Sequence, residues 1–180
     1  MDIIYRQINY KAYQKNCKYK DLRRNNMLEE INKIENLLKN TKFATVATSS
    51  RNGIVSTAQM CIVNKGLTVY FQTDKTFEKI RNIRENNNIA FNIGAYNFKA
   101  KAKIIGKPSE NKEFINLIKQ KHFQTYKSYT LLENEVLIEA EITECKIWGI
   151  NPKLNIHEQE TIQILDFINN TKKVIICDKM

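Results

Sequence analysis

Residues 53–79 read GIVSTAQMCIVNKGLTVYFQTDKTFEK, and the reading of this stretch decides the fold. Two runs rich in β-branched and aromatic residues, 54–63 and 67–73, meet at the turn Asn64-Lys65-Gly66. The second run ends at Thr73-Asp74, and a helical pattern opens at once over 74–87. Phe77, Ile80 and Ile83 share its apolar side, Lys79 and Arg81 reach solvent or a ligand, and Thr73, Asp74 or Thr76 can cap its start. The first turn of a helix carries unpaired N–H groups at the positive end of the dipole. A strand that delivers hydroxyls and a lysine to that turn therefore makes a ready site for a phosphate.

Working outward, 43–50 (FATVATSS) alternates as a strand, and Arg51-Asn52-Gly53 is its hairpin turn. Upstream, Met27, Ile31, Ile34 and Leu38 recur at helical spacing, widened by Leu28 and Leu37, with Asn25 or Asn26 as cap. That leading helix, 26–39, is expected to cover one end of a sheet. Downstream, 89–94 and 98–106 pair as a hairpin through Ala95-Tyr96-Asn97. Lys99, Lys101 and Lys103 lie on one face, Phe98, Ala100, Ala102 and Ile104 on the other. A second helix over 110–123, capped by Ser109, points Phe114, Leu117, Ile118 and Lys121 inward. A polar loop with Tyr126 and Tyr129 follows. Residues 135–150 form the longest strand, and 161–168 with 172–177 form a closing hairpin turning at Asn169-Asn170, although 158–167 also fits a helix. Six to eight strands joined by hairpins, with two or three covering helices, make a mainly β antiparallel barrel, a single domain over 1–180 with its barrel over 42–180.

Composition narrows the partners. The 180 residues carry 29 basic and 19 acidic side chains, a net charge of +10, which favours anionic ligands. Residues 1–25 hold seven of the basic and two of the acidic groups, interleaved with Tyr5, Tyr10, Tyr13 and Tyr19. Such an arm can stack bases and meet phosphates, or pack on a partner subunit; the lack of any nucleic-acid motif favours packing. Cys17, Cys61, Cys145 and Cys177 form no C-x-x-C pair, and His122 and His157 stand apart from them, so no metal site is expected. No apolar run reaches the roughly 18 residues of a membrane helix, and the N-terminus lacks a secretory pattern. A cytoplasmic protein in a reducing compartment is expected.

The ordered set FATVATSSRNGIVSTAQMCIV, LTVYFQTDKTFEKIRNIRENNNIAFNI and AKAKIIGKP resembles the pyridoxamine 5'-phosphate oxidase superfamily, the FMN-binding split barrels, over roughly residues 42–108. The resemblance implies a split β-barrel homodimer with FMN in the groove between subunits, and flavin-mediated redox of an unidentified small molecule. A nicotinamide is a candidate electron donor. By position, Gln59, Met60 and Cys61 would set backbone groups along the flavin ring. Thr73 would give a hydroxyl, Lys79 with nearby Lys75 would neutralise the phosphate, and Trp148 would come from the other subunit. The plainer alternatives are an exposed helix lysine for Lys79, a cap for Thr73 and an interface or core tryptophan for Trp148. The oxidase that names the family has an arginine at the position of Ala58 and Ser-Arg at Phe77-Glu78. Glu78 would repel a phosphate, so either Thr76 would stand in or the phosphate would sit elsewhere. The pyridoxal-phosphate-gripping arginine–histidine motif has no counterpart over 151–163. The chain therefore resembles the general reductase-like or stress-protein branches, and no side chain is marked as catalytic. Two other classes remain: a haem-binding split barrel, for which His122 or His157 would be the axial ligand, and a basic nucleic-acid-binding barrel using residues 1–25 and the Lys99/Lys101/Lys103 row.

Overall fold

The computed structural model describes residues 17–21, 27–150 and 159–178. In chain order these are β1 (Cys17–Asp21), α1 (Met27–Asn40), β2 (Phe43–Ser49), β3 (Val55–Cys61), β4 (Val63–Lys65), β5 (Thr68–Asp74), α2 (Glu78–Glu85), β6 (Asn88–Ile93), β7 (Tyr96–Gly106), α3 (Lys112–Lys121), α4 (Phe123–Thr125), β8 (Glu135–Ile150), β9 (Gln159–Asp166) and β10 (Thr171–Asp178). The expected antiparallel architecture is present as one curled, open sheet in the order β1-β10-β9-β8-β7-β6-β2-β3, with β4 and β5 attached through β8. Ten strands and four helices among the described residues exceed the number expected. The basic aromatic arm expected over 1–25 lies mostly outside these residues, as do the Asn25/Asn26 cap and His157.

The run 54–63 is two strands rather than one. β3 stays with β2 in the hairpin closed by Gly53, whose φ of +81° suits glycine. After Ile62 the chain turns away, and β4 pairs instead with β5. Ile62 donates its N–H to the Lys42 carbonyl at 3.1 Å, so the joint is pinned on the side where β3 leaves. β8 is the strand around which the sheet splits. One edge follows β7 along most of its length, while the other edge pairs with β5 over Glu135 to Glu141 and with β9 over Glu144 to Ile150.

Burial follows from that arrangement. The main core gathers Ile34 and Leu38 of α1, Val46 of β2, Phe71 of β5, Ile80 of α2, Phe91, Phe98 and Ile138. Phe91 and Phe98 stack at 4.6 Å between centroids, a pairing worth about 0.5–1.5 kcal/mol beyond area burial. A second cluster of Val63, Tyr70, Phe114, Ile118 and Leu137 lies beneath α3 on the other face of β5 and β8. β5 is thus buried on both faces from Val69 to Thr73, the polar Gln72 and Thr73 included.

Several local expectations are corrected. Leu28 is exposed, and Glu30 takes the place on the buried face of α1, because Lys172 of β10 meets it at 2.8 Å. The 88–106 hairpin turns at Gly94-Ala95, since Ile93 pairs directly with Tyr96 and Gly94 supplies a φ of +57°. α3 is capped by Asn111, not Ser109: the Asn111 side chain accepts from Phe114 N at 2.9 Å, while 108–110 forms a 3₁₀ turn begun by Pro108. The loop after it contains α4 and a single π turn over Tyr126–Thr130. Over the described residues 159–178 the tail is the hairpin of β9 and β10, and 159–167 is not helical.

The lysine row is exposed as the alternation requires, yet its charge is answered across the strand. Lys99, Lys101 and Lys103 stand opposite Glu144, Glu141 and Glu139 of β8, and Lys99 Nζ lies 2.9 Å from Glu144. Opposite charges directly across an antiparallel pair stabilise the sheet. The row therefore offers little net charge to a nucleic acid.

Candidate functional site

The junction between β5 and α2 brings a carboxylate, hydroxyls and a lysine together. Asp74 ends β5, and its carboxylate accepts from both the N–H and the hydroxyl of Thr76, at 2.8 and 2.7 Å. These bonds hold Asp74 below its ordinary carboxylate pKa and build a local turn over 74–77. α2 consequently starts at Glu78, later than the periodicity suggests. Its N-cap is Phe77, and no side chain caps it. None of Thr73, Asp74 and Thr76 fills that role. No side chain accepts from the first turn of α2; Ile80 N–H meets the Phe77 carbonyl at 3.0 Å, which leaves the N–H groups of Glu78 and Lys79 as those open to an anion.

Thr73 and Lys79 meet here as expected. Lys79 Nζ donates to Thr73 Oγ1 at 3.2 Å, and its ammonium lies 4.6 Å from the centroid of the Phe77 ring. Thr73 is buried and Lys79 half-buried. Burial lowers the Lys79 pKa, an effect partly offset by the charge of Glu135. Glu135, itself buried, is pushed up by burial and by neighbouring Asp74. No carboxylate lies within ion-pair distance of Lys79 among the described residues. Glu78 is drawn along the helix toward Arg81, 3.4 Å away, which tempers the repulsion expected of it.

A cleft of about 220 Å³ opens beside Lys79. β2 lines it with Val46 and Thr48, β3 with Ser56, Thr57 and Ala58, and the start of α2 with Phe77, Glu78 and Lys79. Under its floor Thr48 Oγ1 and Ser56 Oγ are 3.1 Å apart, and Asn82 Nδ2 of α2 donates to both at 3.2 Å. Asn82 is fully buried, and its Oδ1 has no partner among the described residues. Thr48, Ser56 and Asn82 were not singled out in the sequence. The Asn-Gly turn does set the register that places Thr48 opposite Ser56, and Asn82 follows Lys79 at i+3 on the same side of α2.

The other expected residues separate. Lys75 and Thr76 are exposed and do not line the cleft; the Thr76 hydroxyl is already engaged by Asp74. Gln59, Met60 and Cys61 alternate along β3. Met60 enters the core, Gln59 is exposed, and Cys61 lies 3.5 Å from Thr125 Oγ1. Their side chains cannot all face one ligand, but β3 ends the sheet, so its outer backbone edge is unpaired by any described strand. Ala58 leaves room above that edge. Trp148, in the second half of β8, is 49% exposed.

His122 is a structural residue. It is buried, its Nε2–H donates to the Ile62 carbonyl at 3.1 Å, and burial lowers its pKa. It thereby secures the joint between β3 and β4. No cluster of three or more metal-ligating side chains occurs among the described residues, and no helix among them is long and apolar enough to cross a membrane. A larger cavity of about 490 Å³ lies between α1, α3 and the β4–β5 turn. Its most buried cation, Lys121, donates to the Leu38 carbonyl at 2.7 Å and so caps the last turn of α1.

Comparison with known proteins places this geometry. The family model for pyridoxamine 5'-phosphate oxidase matches residues 31–149. Campylobacter jejuni ChuZ is 12% identical over 83% of this chain and 63% of its own, with a TM-score of 0.60. The general stress protein 26 of Bacillus anthracis is 18% identical over 65% of this chain and 92% of its own, with a TM-score of 0.54. The heme storage protein HutZ of Vibrio cholerae is 12% identical over 62% and 88%, with a TM-score of 0.52. At such identities these structures share the fold. No curated protein sequence matches the chain.

Proposed function

The chain belongs to the pyridoxamine 5'-phosphate oxidase family, and from that premise we propose that it is a flavoprotein holding FMN at the β5–α2 junction for the redox conversion of a small molecule. One observation carries the proposal: an uncapped helix N-terminus and a half-buried lysine without a carboxylate partner open onto the same hydroxyl-lined cleft. A phosphate dianion there gains the dipole of α2, the Lys79 charge and neutral hydroxyl donors. Sites for whole ligands of this size run to about 300–1,000 Å³. The cleft is smaller, so it takes the phosphate end. The ring then extends along the free edge of β3, over Ala58, where backbone groups of Gln59, Met60 and Cys61 orient it.

When bound, FMN supplies the hydride chemistry, and the protein supplies position and electrostatics. The residues of this chain do the binding: Thr73 fixes the rotamer of Lys79, Phe77 shields its ammonium from water, and β3 aligns the ring. A second copy of the chain fits the role of covering the ring. The exposed Val55 and Phe43 beside the β3 edge and the exposed Trp148 are the apolar surface available for it.

Titration of the purified protein with FMN, followed by absorbance, tests the proposal. A shifted and sharpened flavin band that saturates at one FMN per chain is expected. An unchanged flavin spectrum, or a Soret band that saturates with haemin while FMN has no effect, would overturn it.

A further inference from the structure

The hydroxyl pair under the cleft has a countable set of hydrogens. Asn82 Nδ2 carries two, one directed at Thr48 Oγ1 and one at Ser56 Oγ. Thr48 and Ser56 carry one hydroxyl hydrogen each, and the bond between them uses only one. The other has no acceptor in the triangle. Both line the cleft, but Thr48 is 2% exposed and Ser56 only half-buried, so Ser56 is the more accessible of the two. The arrangement that satisfies most groups runs Thr48 O–H to Ser56 Oγ, leaving Ser56 O–H directed into the cleft. Turning the amide over would aim Oδ1 at both hydroxyls, but it would bury two N–H hydrogens with no acceptor. An orphaned buried N–H is rarer and more costly than an under-satisfied carbonyl oxygen. The orientation with Nδ2 toward the hydroxyls and Oδ1 unpartnered is thus the favoured one.

We infer that Asn82 is a positioning residue that fixes the Ser56 hydroxyl as a donor to a phosphate oxygen seated beside Lys79. This rests on the reading of the cleft as a phosphate site. The site then grips its ligand by one cation and one oriented neutral donor, on opposite walls of the cleft. Asn82 touches no ligand; it acts by denying Ser56 any inward acceptor.

The inference is tested by reversing the polarity of the triangle without changing its shape. Asn82→Asp places a carboxylate where the amide was. A carboxylate only accepts, so the Ser56 hydrogen turns inward and Ser56 presents lone pairs to the phosphate. FMN and riboflavin affinities are measured by fluorescence for the wild type, Asn82→Asp, Ser56→Ala and the double variant. The expected result is a loss of roughly 10-fold or more in FMN affinity for Ser56→Ala, a larger loss for Asn82→Asp, and riboflavin affinity unchanged in both. Part of the Asn82→Asp loss should vanish in the Ser56→Ala background. A merely structural Asn82 would weaken FMN and riboflavin alike, and that result, or FMN affinity unchanged in Ser56→Ala, would overturn the inference while leaving the flavin reading intact. If the wild type binds neither flavin, the flavin reading falls. The inference is then decided by titrating inorganic phosphate and following the Ser56 and Lys79 amide resonances. A response lost in Asn82→Asp supports it, and no response in the wild type overturns it.

Discussion

Two lysines at different ends of the sheet are withdrawn from water and treated in opposite ways. Lys172 on β10 is 8% exposed and meets Glu30 of α1 at 2.8 Å, with Lys33 3.5 Å from the same carboxylate oxygen. Lys79 at the β5–α2 junction has only a threonine hydroxyl at 3.2 Å. A buried charge is tolerable when a fixed partner answers it, and the Glu30–Lys172 pair ties the β9–β10 hairpin to the leading helix. A charge left half-answered raises the free energy of the empty site and lowers it when an anion arrives. The first arrangement is what structure needs, and the second is what binding needs.

The comparison is broken most severely at the structural lysine. Glu30→Leu leaves the Lys172 ammonium buried without its carboxylate, at a cost of roughly 3–5 kcal/mol. Urea unfolding should show this as a lower midpoint with unchanged slope, and FMN affinity should persist under native conditions. The paired replacement Glu30→Leu/Lys172→Met should recover most of the loss, because apolar side chains of similar volume replace a buried ion pair at little cost. Failure to recover would mean that the pair is not isolated from its neighbours.

At the cleft the balance is reversed. Lys79→Met should leave the free energy of unfolding within about 0.5 kcal/mol of wild type. It should weaken FMN by roughly 10- to 100-fold, the worth of a charge-assisted hydrogen bond, and leave riboflavin unchanged. Isothermal titration with both flavins reads the two effects.

Proton linkage gives a smaller and graded effect. Burial sets the Lys79 pKa below 10.5, and a bound phosphate favours its protonated form. FMN affinity is therefore complete at neutral pH and falls as pH rises through that lowered value, before an ordinary lysine at 10.5 would titrate. In Lys79→Met the same titration should be flat over that range. Smallest of all, Glu135→Gln removes a nearby carboxylate that competes with the phosphate for Lys79, and FMN should bind about two- to five-fold tighter. That corresponds to about 0.5–1 kcal/mol, the small worth of a charge pair beyond ion-pair distance.

The sequence was most readable where periodicity is long. Residues 135–150 emerge as β8 with both ends as expected, and the alternation of β7 sets Phe98, Ala100 and Ala102 inward. The meeting of Thr73 with Lys79 was also legible, because a strand end and a helix start are adjacent in the chain. Less was legible where a partner is distant. Ile62 reads as the middle of one strand, since nothing local announces that β4 leaves β2 for β5. Glu30 is not marked by its neighbours because its partner Lys172 lies 142 positions away. The lysine row of β7 reads as a basic stripe until the register sets glutamates of β8 against it. The start of α2 was misplaced because Asp74 and Thr76, good capping residues by type, bond to each other.

The central claim is that the crevice flanked by β2, β3 and the first turn of α2 receives a phosphate. A crystal structure grown with saturating FMN tests it directly. The expected map places the phosphate within about 2.7–3.2 Å of Lys79 Nζ, with the ring along β3. Density for FMN at any other location, with Lys79 still bonded to Thr73 alone, would contradict it.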